Sequence, residues 1–336
     1  MNRTYILLIV FLLLAGLTGW YFYQGTPDKS SLLREERTFK VEPEEIGKIF
    51  LADRYGTNTT LERSTNGYWV VNGQYRAYDN AVDNLLDAVS RVEMNYKPPA
   101  AAVPNMVKSL STQGLKVEIY NRSEKKVMAY YLGGTTQDER GTFIIREGFD
   151  QPYIAHIPGW SGNLRARFDL TGDQWRDKAV FRAEMDEIEE VAVEYPQQKS
   201  QSFRIQRDGR DWKVVPFYDI TPVINRPEQE GAVETYITEF ESIFAETFQN
   251  SNPQRDSLSN QLPFCSIHLK KRNGDLQEAH FFPRYPKAIL NPDTGIPEPT
   301  GDVVERFSVL TKGGDFMVVQ EVVFRKLFRP YSFFFQ

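Results

Sequence analysis

With 336 residues the chain is long enough for about two domains, each with its own core. A hydrophobic share of 41 % and a charged share of 25 % are those of a globular protein, and a net charge of −5 leaves no basic footprint for nucleic acid. The single cysteine, Cys265, excludes an internal disulfide, while 23 Phe and 17 Tyr suit a β-rich protein.

The first element is an uncharged apolar run from Tyr5 to Tyr23, YILLIVFLLLAGLTGWYFY, about long enough to span a bilayer as a helix. Trp20, Tyr21 and Tyr23 cluster at one end, as interfacial aromatics do. The rival is a cleaved signal peptide behind Arg3, but bulky residues follow the run and no small-x-small site appears. An uncleaved anchor is therefore expected over residues 1–23, contacting lipid through residues 5–23, with a polar tether over 24–45. Lys29, Arg34, Arg37 and Lys40 follow the span and count against export by the positive-inside rule. Long domains nevertheless translocate largely regardless of charge, so the bulk of the chain is placed outside the cytoplasmic membrane.

From Ile46 the pattern turns to strands. The stretch IGKIFLADRYGTNTTLERSTNGYWVVNG (46–73) alternates apolar and polar residues and carries Asn66-Gly67, a strong hairpin signal. It returns, altered but in step, as IEEVAVEYPQQKSQSFRIQRDGRDWKVVP (188–216). Ile46 answers Ile188, Ile49 answers Val191, Leu51 answers Val193, and Trp69 answers Trp212 with one residue of slippage. This correspondence predicts a duplicated chain, with a first unit over 46–181 and a second over 182–336. In the first, Asp79 opens a helical stripe of Ala81, Val82, Leu85, Leu86, Val89 and Val92. Pro98, Pro99 and Pro104 are expected to end it. Two hairpins follow, 117–121 with 126–133 and 142–147 with 153–157.

The second unit repeats that order. Val233, Tyr236, Ile237, Phe240, Ile243, Phe244 and Phe248 predict one helical stripe within 226–249. Strands 265–271 and 276–283 form one hairpin, and 306–312 with 316–320 another. Between them lies a Pro- and Gly-rich insertion over 284–302, without periodicity and of a length that is functional or mobile. The chain closes on an aromatic tail, Tyr331, Phe333, Phe334 and Phe335. Such a tail either docks on its own core or marks a partner contact.

The anchor, the IGKIFLADR and TLERSTNGYWVVN strands, the helix AVDNLLDAVSRV and the run FIIREGFDQPYIAHIPG resemble the bacterial family known as domain of unknown function 4340. Within the last run the pattern falls on Arg146, Gly148, Gln151, Pro152 and Tyr153. The resemblance covers most of 42–181 well and the second half more weakly. It rests on packing and turn residues and brings no catalytic residue with it. Family members are often encoded beside ABC-type transporter components related to gliding-motility proteins, which implies an accessory role at such a complex.

Residues able to carry chemistry are sparse. His156, His268 and His280 lack metal-type spacing, and the first two fall within strand patterns. His280 faces His268 across its hairpin, but two histidines make a poor site. Gly133-Gly134-Thr135 lacks the lysine and helix start of a phosphate loop, and Gly159-Trp160-Ser161-Gly162 lacks a nucleophile elbow. The acidic groups Glu42-Pro43-Glu44-Glu45 and Glu184 to Glu190 read as solvated faces. Trp69 and Trp212 occupy matching slots and read as core.

The expected fold is α+β: a transmembrane helix, then two duplicated units of antiparallel β-hairpins with one packed helix each. The expected function is that of a non-enzymatic accessory or scaffold subunit of a membrane complex, without cofactor or metal. Tyr285, Ile289, Tyr331, Phe333, Phe334 and Phe335 are its candidate contacts. The alternative is a glycan- or peptide-binding module using a cleft between the units, with Trp160, Tyr218 and Tyr285 as lining.

Overall fold

The computed structural model describes residues 14–16, 38–285, 289–290, 297–298 and 303–336. Of the anticipated span over 5–23 only 14–16 are described, and they are helical; the rest lies outside the described residues. Among the described residues no helix is long and apolar enough to cross a membrane. The chain divides into two compact units, with the boundary between Asp177 and Lys178. The α+β expectation holds, in two large antiparallel sheets and two small ones among the described residues, with a few helices.

The first unit holds β1 (Ile46–Ala52), β2 (Asn58–Arg63), β3 (Trp69–Val71), β4 (Tyr75–Arg76), α1 (Asp79–Arg91), β5 (Glu93–Tyr96), α2 (Val103–Gln113), β6 (Leu115–Asn121), β7 (Lys126–Thr135), β8 (Thr142–Arg146) and β9 (Tyr153–His156). The strands form one sheet in the order β4-β3-β2-β1-β6-β7-β8-β9-β5. Alternate residues along each strand face opposite sides. One side is the core: Ile49, Leu51, Val117, Ile119, Tyr130, Leu132 and Ile144 are buried there against the stripe of α1, from Ala81 to Val89. Phe39 and Val41 belong to the same core, so residues 38–45, expected to be tether, are part of the unit.

Pro104 does not terminate a helix. It sits in the first turn of α2, where its missing N–H has no intrahelical partner to lose. The first unit therefore carries two helices rather than one, and α2 lies on the sheet face opposite α1, against β7 and β8. Gly133, at the end of the strand expected over 126–133, is within β7; a Cβ there would meet Leu110 at 3.1 Å, so the glycine lets α2 sit close.

The second unit begins with β10 (Ala179–Phe181), which the sequence assigned to the first. It continues through β11 (Ile188–Glu194), β12 (Phe203–Asp208), β13 (Asp211–Pro216), α3 (Ala232–Thr238), β14 (Ile243–Phe244), β15 (Thr247–Phe248) and α4 (Arg255–Ser259). Then come β16 (Cys265–Lys271), β17 (Leu276–Arg284), β18 (Ile289–Leu290), β19 (Pro297–Glu298), β20 (Arg306–Thr311), β21 (Phe316–Gln320) and α5 (Glu321–Phe324). The main sheet has the order β13-β12-β11-β16-β17-β20-β21-β15. Strand β10 belongs here because it pairs with β14.

The long helical stripe expected within 226–249 shrinks to α3. Gly231 enters it in the left-handed conformation (φ 72°), and Ile243–Phe244 and Thr247–Phe248 leave it to pair with β10 and β21. Val233, Tyr236, Ile237, Phe240 and Ile243 are nevertheless buried, as their spacing requires. The insertion is not wholly irregular either: β18 and β19 form a two-stranded ladder, and its other residues past Tyr285 and before Val303 lie outside the described residues.

The sheets share a register. Ile49 pairs with Leu61 and Ile119 in the first, and Val191 with Ile205 and Leu269 in the second. A bulge follows Ile46 in one and Ile188 in the other. Each sheet has the same brace. Arg63 donates to the carbonyls of Ile46 (3.3 Å) and Pro43 (3.1 Å) and stacks over Trp69 at 5.0 Å. Arg207 donates to those of Ile188 (3.0 Å) and Met185 (2.7 Å) and stacks over Trp212 at 4.3 Å. Trp69 is buried in its core; Trp212 is half-buried beneath its arginine.

Candidate functional site

The face of the first sheet away from α1 carries a row of four side chains, one from each central strand. Ala52 pairs with Lys116, Lys116 with Tyr131, and Tyr131 with Ile145. Because their neighbours Leu51, Val117, Tyr130 and Ile144 point into the core, these four must point out. Over one end of the row lies α2, seated by buried Met106 and Leu110, with Val107 left exposed. The space between helix and row is a groove of about 500 Å³, lined also by Asp53, Arg54, Ser111 and Gly114. Arg54 donates to the Ser111 carbonyl (2.9 Å), tying the turn after β1 to the last turn of α2. Carbonyls there lack intrahelical partners. The Asp53 carboxylate accepts the backbone N–H groups of Tyr55 and Thr57 at 2.8 and 2.9 Å.

Beside the groove runs a charged network. Lys116 lies 2.8 Å from Glu118 and 3.4 Å from Glu147, and Lys126 lies 3.4 and 2.6 Å from the same two carboxylates. The Tyr120 hydroxyl donates to Glu118 at 2.7 Å. Burial alone would raise the Glu118 carboxyl; the hydrogen bonds from Lys116 and Tyr120 outweigh it and hold the group at about 2. Lys116 is raised in turn by Glu118. The network is internally neutral and leaves the aliphatic stem of Lys116 to the groove wall.

At the matching place in the second sheet the row reads Glu194, Ser266, His280 and Leu310. His268 and Glu278, paired across β16 and β17, flank it. His280 approaches Ser266 Oγ through Nδ1 (2.8 Å) and Glu278 through Nε2 (2.9 Å), and His268 Nδ1 lies 3.4 Å from the same carboxylate. The order serine, imidazole, carboxylate invites comparison with a hydrolytic relay. Ser266 is only 3 % exposed, however, and the residues around it lie in sheet ladders whose amides are committed to neighbouring strands. Among the described residues no group of three His, Cys, Asp or Glu side chains has the convergence a metal ion needs. Glu194 accepts from the Tyr218 hydroxyl, and burial together with Glu194 pushes that phenol up to about 12.

The residues expected as contacts separate. Tyr285 is 63 % exposed and lines a recess of about 290 Å³ with Arg284, Val303, Glu305 and Arg306. Ile289 lies on β18. Tyr331 and Phe334 are core residues of the second unit, Phe334 packing against Phe203 and Tyr236, so a partner cannot meet them. Phe333 and Phe335 are half-buried against the same core. The docked reading of the tail is the one the packing supports. Cys265 is buried, and burial pushes its thiol far above the ordinary range. Of the residues considered for a ligand cleft, Trp160 is half-buried with Arg167 over its ring at 4.6 Å, and Lys199 lies 5.2 Å over Tyr218.

Sequence reasoning missed the groove entirely. Arg54 reads as a turn charge, Val107 as one residue of a proline-rich connection, Lys116 as the residue just before the strand 117–121, and Tyr131 as one residue of the strand 126–133. The usable signal was the helical spacing of Met106 and Leu110 behind Pro104, which the proline obscured.

No curated protein matches the chain. The matched family model begins at Trp69, in β3 of the first unit, and runs past α4 of the second, taking in α1, α2 and the groove's helix wall. That match spans residues 69–260, more than half of the chain, which therefore belongs to the family described as Domain of unknown function (DUF4340).

Proposed function

We propose that the chain is a non-enzymatic, membrane-anchored accessory or scaffold subunit of a membrane complex, held at a bacterial inner membrane by residues 5–23 with its two units in the periplasm. An ABC-type transporter, linked to gliding or secretion, is the candidate complex. The observation that carries this reading is the base of the insertion. Tyr285 and Val303, 63 % and 68 % exposed, stand together where the chain leaves β17 and re-enters β20, flanked by Arg284, Glu305 and Arg306. Exposed apolar side chains rimmed by charge are the ordinary form of a protein contact. The units are read as two copies of one ancestral unit, the second having gained the insertion.

The test is purification of the tagged full chain from its native membrane with chemical cross-linking and mass spectrometry. Transporter-type subunits should be recovered with the unaltered chain and reduced at least fivefold by Tyr285→Ala combined with Val303→Asp. Recovery of the chain alone, or of the same partners with the double variant, removes the insertion as the contact.

A further inference from the structure

The groove of the first unit is apolar where no core requires it. The core of that sheet is complete on the α1 side, and α2 is seated on the other side by Met106 and Leu110. Val107 nevertheless faces outward, 39 % exposed, on a helix that would lose nothing by carrying a polar residue there. In the second unit the same face buries Ser266, Phe282 and Ser308. An open apolar recess of about 500 Å³ falls within the size range of small-molecule sites, about 300–1,000 Å³.

Charge selects the occupant. Among the described residues lining the groove there are two cations and one acid. The Lys116 ammonium is held by Glu118 and Glu147, and the Asp53 carboxylate by two backbone N–H groups. Arg54 is exposed and uses one N–H on the Ser111 carbonyl, which leaves a guanidinium fork at the rim. A single cation at the mouth of an aliphatic trough complements an apolar chain ending in one anionic group. A sugar would leave the exposed Val107 and the half-buried Ile145 without apolar partners, and a cationic amphiphile would meet Arg54 with like charge.

We infer that the groove binds a single-chain anionic amphiphile, with its chain along Val107, Leu110 and Ile145 and its carboxylate or phosphate at Arg54. This site stands independently of the scaffold reading and of the insertion.

The experiment uses the purified full chain and a dodecanoate bearing a diazirine on its chain, with adducts mapped by peptide mass spectrometry. Adducts are expected in peptides covering 103–116. Unlabelled dodecanoate and dodecyl phosphate should compete, and dodecanol should compete about tenfold more weakly, as loss of a charge-assisted hydrogen bond implies. The stronger of the two anionic competitors identifies a free carboxylate or a phosphate-headed lipid as the source. Arg54→Gln should remove the difference between dodecanoate and dodecanol, and Val107→Glu should abolish the adducts without lowering the melting temperature. Adducts scattered over the surface, equal competition by dodecanol in the unaltered chain, or unchanged labelling in a folded Val107→Glu variant would overturn the inference. If Val107→Glu fails to fold, the Arg54→Gln comparison decides alone.

Discussion

Tyr130 lies inside the first core, edge-on to Phe39 and Phe168, and its hydroxyl meets no partner among the described residues. Burial pushes that phenol far above its ordinary range. A buried unpaired hydroxyl costs about 1–3 kcal/mol. Tyr130→Phe, which keeps the ring, is therefore expected to hold or raise the melting temperature, by about 2–4 °C for each kcal/mol recovered, in a calorimetric scan. A clear fall would mean that the hydroxyl has a bound partner, such as water. At this scale the sequence was legible for apolar residues, because Ile49, Leu85 and Val191 announce their burial by spacing. It was silent for Arg63 and Arg207. Each reads as the polar half of a strand, and its hydrogen bonds go to carbonyls about twenty residues earlier in the chain.

Elements made of consecutive pairings were read well and elements decided by competition were not. The hairpins around Gly67, Gly209 and Gly274 lie where their turn residues placed them, each glycine having positive φ. The stripe in 226–249 failed because its last residues gain more from pairing with β10 and β21 than from prolonging α3. Cross-strand neighbours also create the charged network of β6, β7 and Glu147, just past the end of β8. The Glu118 carboxyl is held at about 2, below its ordinary 4.5, so its stabilisation is present above pH 4.5 and is lost as pH falls through about 2. Glu118→Gln should flatten that acid limb and cost about 1–3 kcal/mol at neutral pH, measured by denaturant melts across the range. An unchanged acid limb would show that Glu118 is not the group responsible.

At the scale of the molecule, the tail is the clearest case of a segment whose role composition could not reveal. The Tyr331 hydroxyl lies 3.5 Å from the Ile224 backbone N–H, Phe334 fills the space between Phe203 and Tyr236, and the Phe334 carbonyl accepts from Gln229. Removing residues 331–336 would therefore open the second core rather than merely strip a contact surface. Phe334→Ala alone is expected to cost about 3–5 kcal/mol, read as a lowered melting midpoint. Equal stability of the variant would return the tail to the list of free contact surfaces. Changes at Tyr285 and Val303 touch no core and are the cleaner probe of partner binding.

Periodicity by itself determined the α+β class, the central strands of the two sheets, the helix over 79–91 and most positions that face the cores from those elements, because alternation and the 3.6-residue stripe are local properties of the chain. Tertiary structure alone decided that Pro104 opens a helix and that Gly133 seats it. It also decided that Tyr331 and Phe334 are core while Tyr285 is surface, and that Arg54, Val107 and Ile145 share one groove. Those outcomes depend on which distant segment lies opposite a residue, and sheet pairing, not the residue's neighbours in sequence, sets that.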